Sequence, residues 1–347
     1  MINLKDIHIT SEMLGIIANI DEFKGAWNAF AKRPEKMIAL KKVATIESIG
    51  SSNRIEGNKL TDTQVETILS NIKKQSFTTR DEQEVAGYAD LMENIFDNYE
   101  VIPFTENYIK QMHQILLSYS DKDERHRGAY KTISNSVAAY DSDGNQIGIV
   151  FETATPFETP EQMRKLVQQT RELLEDNALH PLIVIALFVV HFLAIHPFQD
   201  GNGRLSRALT TLLLLKSGYS YVPYSSMETI IEESKNTYYK ALRNTQKTFK
   251  TSSFKYDEWL RFFLLTVQKQ KIRLEKKITP KENTLNLTAS KVFALFEEKN
   301  QWTTIEIKTA LNININTIKK TIQELVKDGY LVKNGTTKGA WYEKSKV

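Results

Sequence analysis

Apolar residues recur along most of the chain at intervals of three and four, the spacing that gathers them on one side of an α-helix. Between Pro34 and Ser52 this pattern places Leu40, Val43 and Ile46 on one face, and Thr61 followed by Gln64 makes a capping box that opens another helix. Further helices are predicted over Glu82–Asn98, Thr105–Tyr119, Thr159–Asp176, Leu182–Ile195, Gly203–Lys216, Glu228–Thr248 and Lys255–Glu275. The period changes between Tyr130 and Ala154. There β-forming residues flank the turn-rich run Asp141-Ser142-Asp143-Gly144-Asn145, which predicts a hairpin in an otherwise helical domain.

From Lys276 to Asn286 the chain is polar and carries Pro280, as an interdomain linker does. Three short helical patterns follow, at Ala289–Glu298, Ile305–Leu311 and Asn316–Lys327. The last sets Ile318, Ile322, Leu325 and Val326 on one face, with Gly329 as its stop. Tyr330–Lys333, a turn at Asn334-Gly335 and Ala340–Tyr342 then predict a hairpin. Three helices and a hairpin describe a winged helix, a helix-turn-helix fold. The expected architecture is mainly α: an N-terminal helical region over 1–80, a helical domain with a β-hairpin over 81–275, a linker over 276–286 and a winged helix over 287–347.

Composition narrows the class. Hydrophobic residues at 41% and charged residues at 25% describe a folded globular chain. The lack of cysteine excludes a disulfide scaffold, a cysteine nucleophile and a thiolate zinc site, and it fits a reducing compartment. A cytoplasmic location is therefore expected; Met1–Asp6 has no basic-then-apolar signal pattern. Leu182–Ile195 is shorter than the ~20 residues needed to cross a bilayer and contains His191, so it reads as a buried helix with no membrane partner. The net charge is +4, but from Lys271 onward 15 Lys and Arg face 8 Asp and Glu, which confines the basic character to one end.

Candidate chemistry concentrates in His196-Pro197-Phe198-Gln199-Asp200-Gly201-Asn202-Gly203-Arg204-Leu205-Ser206-Arg207. Pro197 and the two glycines break the helix that precedes them, and a new helix begins near Gly203. Backbone N–H groups that converge at a helix N-terminus bind anions. Arg204 and Arg207, three residues apart, can address neighbouring phosphates, Asp200 can hold Mg²⁺ through phosphate oxygens, and His196 supplies a general base. A Gly-Asn-Gly turn followed by surface arginines would also stand without a ligand; the conjunction of all these parts points to a nucleotide polyphosphate.

Every specified position of HxFx(D/E)GNGRxxR is filled in this run, which resembles the signature of the Fic family of nucleotidyl transferases. The resemblance extends from about Glu82 to Thr266. It implies an all-α Fic core that transfers AMP from ATP, with Mg²⁺, to a Tyr, Ser or Thr hydroxyl of a target protein. His196 would take the hydroxyl proton and Phe198 would anchor the loop. Asp200 would bind Mg²⁺, Gly201, Asn202 and Gly203 would cradle phosphates, and Arg204 and Arg207 would hold the β- and γ-phosphates. Leu205 and Ser206 belong to the same ATP-binding run, and the resemblance sets Tyr239 at the nucleotide, with Tyr238 beside it.

Ser52-Asn53-Arg54-Ile55-Glu56-Gly57 resembles the family's [S/T]xxxE[G/N] inhibitory motif. Ser52 and Glu56 stand at i and i+4 on one helical face, and a carboxylate offered to Arg207 would compete with the γ-phosphate. In the family an equivalent glutamate can instead position a water that removes AMP, so brake, hydrolytic base or both are open readings of Glu56. The hairpin resembles the family's flap, which adds a target segment as a strand, with Ser136, Val137 and Ala138 as its contact edge. A homodimer is implied by the resemblance alone.

Other features carry less. Asp141, Asp143, Asn145 and Glu152 match part of a calcium-loop pattern, but Gln146 stands where the loop needs glycine. His191 reads as a buried structural histidine, and His8, His113, His126 and His180 show no metal-site spacing. No GxxxxGK[ST] or GxSxG motif is present. The basic winged helix, with Lys319 and Lys320 on its last helix, suits either duplex DNA or protein contacts. Its lack of arginine argues against readout of guanine. On the DNA reading the chain would be a transcriptional regulator with a vestigial catalytic domain.

Overall fold

The computed structural model describes residues 2–30, 34–71, 77–140, 146–251, 253–278, 287–327, 329–335 and 339–345. They form two compact units, Met1–Glu275 and Lys276–Val347.

The first unit is built around α7 (Pro181–Ile195). Every residue from Leu182 to Ile195 is buried, so this helix has no polar face and must be enclosed on all sides. Pro181 starts it, and the His180 side chain accepts the Leu182 N–H. Its neighbours are α6 (Thr159–Glu175), α8 (Asn202–Lys216) and α10 (Lys235–Lys247). Trp259 of α11 (Asp257–Ile278) donates its indole N–H to Ala186 O at 2.6 Å. Among the described residues no helix is long and apolar enough to cross a membrane.

Among the described residues, five helices and a short 3₁₀ turn at Leu4–Asp6 precede this core. Helix α1 (Ser11–Phe30), absent from the sequence-based expectation, buries Met13, Ile16, Ile20, Phe23 and Trp27; its interior glycines, Gly15 and Gly25, weaken the helical signal. Helix α2 (Pro34–Ile55) runs three residues beyond the expected end at Ser52. Its buried residues include Met37, Ala44, Ile46, Ser48, Ile49, Ser51, Ser52 and Ile55, so Ile46 of the expected face is buried, while Val43 is 48% exposed. The expected face of Leu40, Val43 and Ile46 steps by three residues each time and so drifts around the helix; the observed face follows mixed steps of three and four. Helix α3 (Asp62–Asn71) has the expected Thr61/Gln64 box, with Thr61 N–H on Gln64 Oε1 at 2.9 Å. Helices α4 (Arg80–Asn98) and α5 (Glu106–Leu116) start at Thr79 and Thr105, each accepting an N–H three residues on.

The hairpin consists of β1 (Ser136–Tyr140) and β2 (Gln146–Glu152), antiparallel, with register irregularities at Val137/Ala138 and Ala139/Tyr140. Among the described residues β1 pairs with β2 alone, which leaves its other edge open. Asp141, Asp143 and Asn145 lie outside the described residues, and Glu152 is engaged by Lys250 Nζ at 2.6 Å. The predicted helix Glu228–Thr248 is two helices, α9 (Met227–Glu233) and α10. The break falls at Ser234, whose hydroxyl bonds back to Ile230 O.

The second unit contains α12 (Leu287–Glu298), α13 (Thr304–Leu311) and α14 (Ile315–Lys327). With them is a three-stranded sheet ordered β3 (Trp302–Thr303), β5 (Trp341–Lys344), β4 (Leu331–Asn334). Val292, Phe296, Ile307, Ile318, Ile322, Leu325 and Leu331 make its core. Strand β3, too short to show alternation, is the addition to three helices and a hairpin. Lys319 and Lys320 are exposed.

Candidate active site

Helix α7 ends where His196 enters the left-handed region (φ 51°, ψ 61°) with its N–H on Phe192 O, and Pro197 prevents continuation. The loop that follows is wound around the fully buried Phe198. Asn202 accepts the Phe198 N–H at 2.9 Å and donates to Phe198 O at 2.7 Å, so its amide closes the loop on itself. The Phe198 ring stacks on His113 with centroids 3.8 Å apart. Gly128 N–H donates to His113 Nδ1, which leaves Nε2 protonated to donate to Asp200 O, both at 3.0 Å. Burial pulls the His113 pKa down to about 4, in keeping with a neutral ring.

Gly201, at φ 78°, caps α8 in a conformation that favours glycine. The first bond of the helical ladder runs from Leu205 N–H to Gly201 O, so the N–H groups of Asn202, Gly203 and Arg204 precede it and face the helix entrance. The Asp200 carboxylate accepts the Gly201 N–H through Oδ1, and its Oδ2 lies 3.3 Å from Arg80 and 3.6 Å from Arg204. Burial works against its charge, yet Arg204, the Gly201 N–H and Arg80 together hold its pKa below the ordinary carboxylate range. Arg204 is 2% exposed; its Nη1 stands 3.5 Å from Glu84 Oε2, and neither Nε nor Nη1 has a hydrogen-bond partner.

Arg207, on the next turn of α8, is also 2% exposed. Its Nε donates to Ser52 Oγ, and its Nη2 donates to Ser52 O and to Glu56 Oε1, each at 2.8 Å. Nη1 has no partner. Desolvation opposes the guanidinium charge, but Glu56, with Tyr238, Tyr88 and Tyr239 beside it, together outweigh it and raise the pKa. Glu56 reaches this point because α2 ends in a Schellman motif. Asn58 N–H bonds Asn53 O, Gly57 N–H bonds Arg54 O, and Gly57 adopts φ 99°. Glu56 is thus the cap residue just past the helix, rather than a member of its face. Arg54 fastens the same end through a two-pronged contact with Glu232 at 2.7 and 3.1 Å and a third bond to Asp62. The Glu56 carboxylate rests so close to Gly203 that a Cβ there would overlap it.

A cavity of about 1010 Å³ opens beside these groups. Glu56, His196, Asp200, Gly203, Arg204 and Tyr239 are among its lining residues. Arg207 is not, because Glu56 stands over it. The half-buried His196 ring has Nδ1 3.4 Å from Leu193 O, which favours the tautomer with a free Nε2 lone pair. Burial pulls its pKa down to about 4, so the ring is neutral at pH 7 and can accept a proton. Tyr238 packs on Trp259 and Phe262 as a core residue, whereas Tyr239 is half-buried at the cavity wall.

The sequence-based assignments divide accordingly. His196, Asp200, Gly201, Gly203, Arg204, Glu56 and Tyr239 converge on the cavity; Asn202 lines it too, but its side chain is spent on the loop, leaving the backbone N–H for an anion. Leu205 and Ser206 do not reach it. Leu205 is fully buried and Ser206 Oγ turns back to Gly203 O, so neither side chain contacts a ligand there. Three participants went unrecognised in the sequence: His113, Arg80 and Glu84. Each lies far from the motif in the chain, and none has a local pattern that would mark it.

Residues 103–214 match the model of the Fic/DOC family. The chain carries a Fic domain. Among curated relatives, the protein adenylyltransferase Fic of Drosophila grimshawi is 27% identical over 208 residues, 58% of this chain and 40% of the relative. That of Drosophila willistoni is 28% identical over 210 residues, 58% and 38%. The chain therefore spans about two fifths of the length of the curated relatives it matches. In fold it is similar to a Fic family protein from Desulfovibrio desulfuricans (TM-score 0.63, 20% identity, 99% of this chain and 98% of that one). It is also similar to a Fic-domain signalling protein from Bacteroides thetaiotaomicron (0.57, 24%, 76% and 94%).

The buried histidines of the Fic domain make it acid-sensitive. His113 and His196 are depressed to about 4 and His191, stacked on Phe249 and bonded to Tyr256, to about 3, in each case by burial. Because the folded values lie below the unfolded value of about 6.5, the unfolded chain holds more protons between them. Stability is therefore complete above pH 6.5 and falls as pH drops toward 4. Unfolding in urea at pH 5.5 should take up close to three protons at these three histidines, a slope of roughly 4 kcal/mol per pH unit. A slope near zero between pH 6.5 and 5.5 would contradict the burial argument.

Proposed function

We propose that this Fic domain transfers AMP from ATP to a Tyr, Ser or Thr hydroxyl of a target protein, and that Glu56 restrains the reaction. The observation that carries the proposal is an anionic group already lodged where an anion belongs. The Glu56 carboxylate lies against Gly203 at the N-terminus of α8 and bonds Arg207 at 2.8 Å. Once it leaves, Arg207 gains one free Nη2 N–H beside its unpartnered Nη1, the other Nη2 N–H staying on Ser52 O, and the N–H groups of residues 202–204 face the same space.

A triphosphate fits this arrangement, with the γ-phosphate at Arg207, the β-phosphate at Arg204 and the adenosine along the Tyr239 wall. Among the described residues no group of three or more carboxylates and histidines could cage a metal. Asp200 alone suits Mg²⁺, which is commonly held by one or two carboxylates plus substrate phosphates and there neutralises phosphate charge. His196 Nε2 takes the proton of the target hydroxyl as its oxygen bonds to the α-phosphorus. The bond from the α-phosphorus to the bridging oxygen breaks, and pyrophosphate leaves with that electron pair. The open edge of β1, at Ser136, Val137 and Ala138, offers backbone groups to an extended target segment.

Transfer of α-phosphate label to protein is the direct test; removal of AMP from a labelled protein, with no transfer by the wild type or by Glu56→Gly, would replace this reading by hydrolysis. Arg207→Ala, made in a Glu56→Gly chain so that no carboxylate competes, should weaken ATP binding about 10- to 100-fold, the loss of a charged hydrogen bond of roughly 1.5–3 kcal/mol. Calorimetric titration with ATP measures it, and unchanged affinity would remove the γ-phosphate from Arg207.

A further inference from the structure

We propose that Lys131 is a positioning residue for the transfer reaction, one that ties the base of the β1–β2 hairpin to the end of α7 and so holds His196 in register with the β1 edge. The inference rests on the transferase reading above. Lys131 is only 3% exposed, and its ammonium uses all three donors: Asn135 Oδ1 at 2.8 Å, Thr153 Oγ1 at 2.9 Å and Ile195 O at 2.9 Å. Its backbone N–H donates to Pro197 O at 2.9 Å. The two carbonyls that flank His196 in the chain are therefore both held by this one residue.

The other two acceptors mark where the hairpin leaves the helical body. Asn135 immediately precedes β1 and Thr153 immediately follows β2, and the two side chains bond each other at 2.8 Å. Asn135 also donates to Phe198 O at 2.9 Å, extending the tie to the loop beyond His196. A movement of the hairpin base must move Ile195, Pro197 and Phe198 with it.

Chemistry argues that this is more than packing. Burying an ammonium among neutral oxygens is costly, and an apolar side chain would fill the space without that penalty. No carboxylate hydrogen-bonds it. Glu158 is the one acid that favours its charge, and burial draws its pKa down to about 8. What the charge gains is the C-terminal end of α7, where a carbonyl with no helical partner accepts it. It also lies near enough to His196 to disfavour the imidazolium, adding to the larger effect of burial. His196 itself sits in a left-handed conformation that costs a non-glycine residue about 1 kcal/mol or more, and such a residue persists only where its surroundings hold it.

The test compares Lys131→Met with its parent in a Glu56→Gly chain, using α-labelled ATP. The rate constant for self-labelling should fall about 10- to 100-fold, the effect of misplacing a reacting group by about 1 Å, while the ATP dissociation constant stays within about twofold. Lys131→Arg should recover part of the rate. The backbone amides of His196 and Phe198 should exchange faster in Lys131→Met. Should that variant fail to fold, Thr153→Val removes one acceptor at constant volume and should lower the rate in the same direction. An unchanged rate per folded molecule, or an equal loss of ATP affinity, overturns the proposal. If the Glu56→Gly parent labels nothing, the transferase reading fails, and exchange alone judges the tie: unchanged exchange at His196 and Phe198 overturns it, faster exchange at an unchanged melting temperature upholds it.

Discussion

Glu56→Gly should label protein from ATP at least ten times faster than the wild-type chain, and up to about a hundredfold faster. The range follows from the bond that is lost, a charge-assisted contact to a buried guanidinium worth roughly 1.5–3 kcal/mol, at about 1.4 kcal/mol per factor of ten. The carboxylate opposes ATP in two ways at once. It takes Arg207 Nη2, and it fills the space against Gly203 that a phosphate would enter. Glu56→Gln keeps the volume and loses the charge, so it should fall between the two. Ser52 contacts Arg207 through its hydroxyl and carbonyl and remains in both variants, which keeps the guanidinium in place. Equal labelling by wild type and Glu56→Gly, at ATP concentrations below saturation, would show that the observed contact is no brake.

Much of this site was legible because its chemistry is local. His196 to Arg207 is one contiguous run, and a helix end, a turn and a helix start follow from Pro197, Gly201 and Gly203 alone. The contact with Arg207 was legible in part: Ser52 and Glu56 do meet Arg207, but Glu56 does so from a Schellman cap, a geometry set by Gly57 that i, i+4 spacing does not express. Helix α2 shows a second limit of the pattern. Its buried face contains Ser48, Ser51 and Ser52, so a search for apolar periodicity selected Val43, which faces solvent. Small hydroxyl side chains were needed there because Thr229 and Arg207 approach closely and bond to them.

The supporting groups were invisible for a different reason. Lys131 looks like any surface lysine until the fold brings Asn135, Thr153 and Ile195 O around it. His113 showed no metal-site spacing, and its role is to stack on Phe198 and bond Asp200 O across a long sequence separation. Such residues act through tertiary contacts, to which hydrophobic period and motif spacing do not respond. Leu205 and Ser206 err in the opposite direction, since membership of the motif placed them on the ligand while helix geometry turns them into the core.

His196→Ala in the Glu56→Gly background should reduce label transfer by about 10²- to 10⁴-fold, the contribution of a positioned general base, while ATP affinity changes little. The separation is the informative part. On the proposed reading Arg204, Arg207 and the N–H groups of α8 would bind the phosphates, and none depends on the imidazole; His196 would act on the incoming hydroxyl, which is absent from the binary complex. Because its pKa in the free protein is drawn to about 4 by burial, kcat/KM should be flat from pH 8 down to about pH 5 wherever the fold survives, and should decline below that as the base is protonated. A parallel fall in ATP affinity would mean that the imidazole serves the nucleotide instead of the nucleophile. Transfer at the parent's rate would move the base to another residue, and among the described residues lining the cavity the remaining carboxylates are Glu56, Glu84 and Asp200. Glu56 is already removed in this background, while Glu84 and Asp200 are engaged by Arg80 and Arg204. That leaves His196 as the cavity group with both an unengaged lone pair and the protonation state the reaction requires.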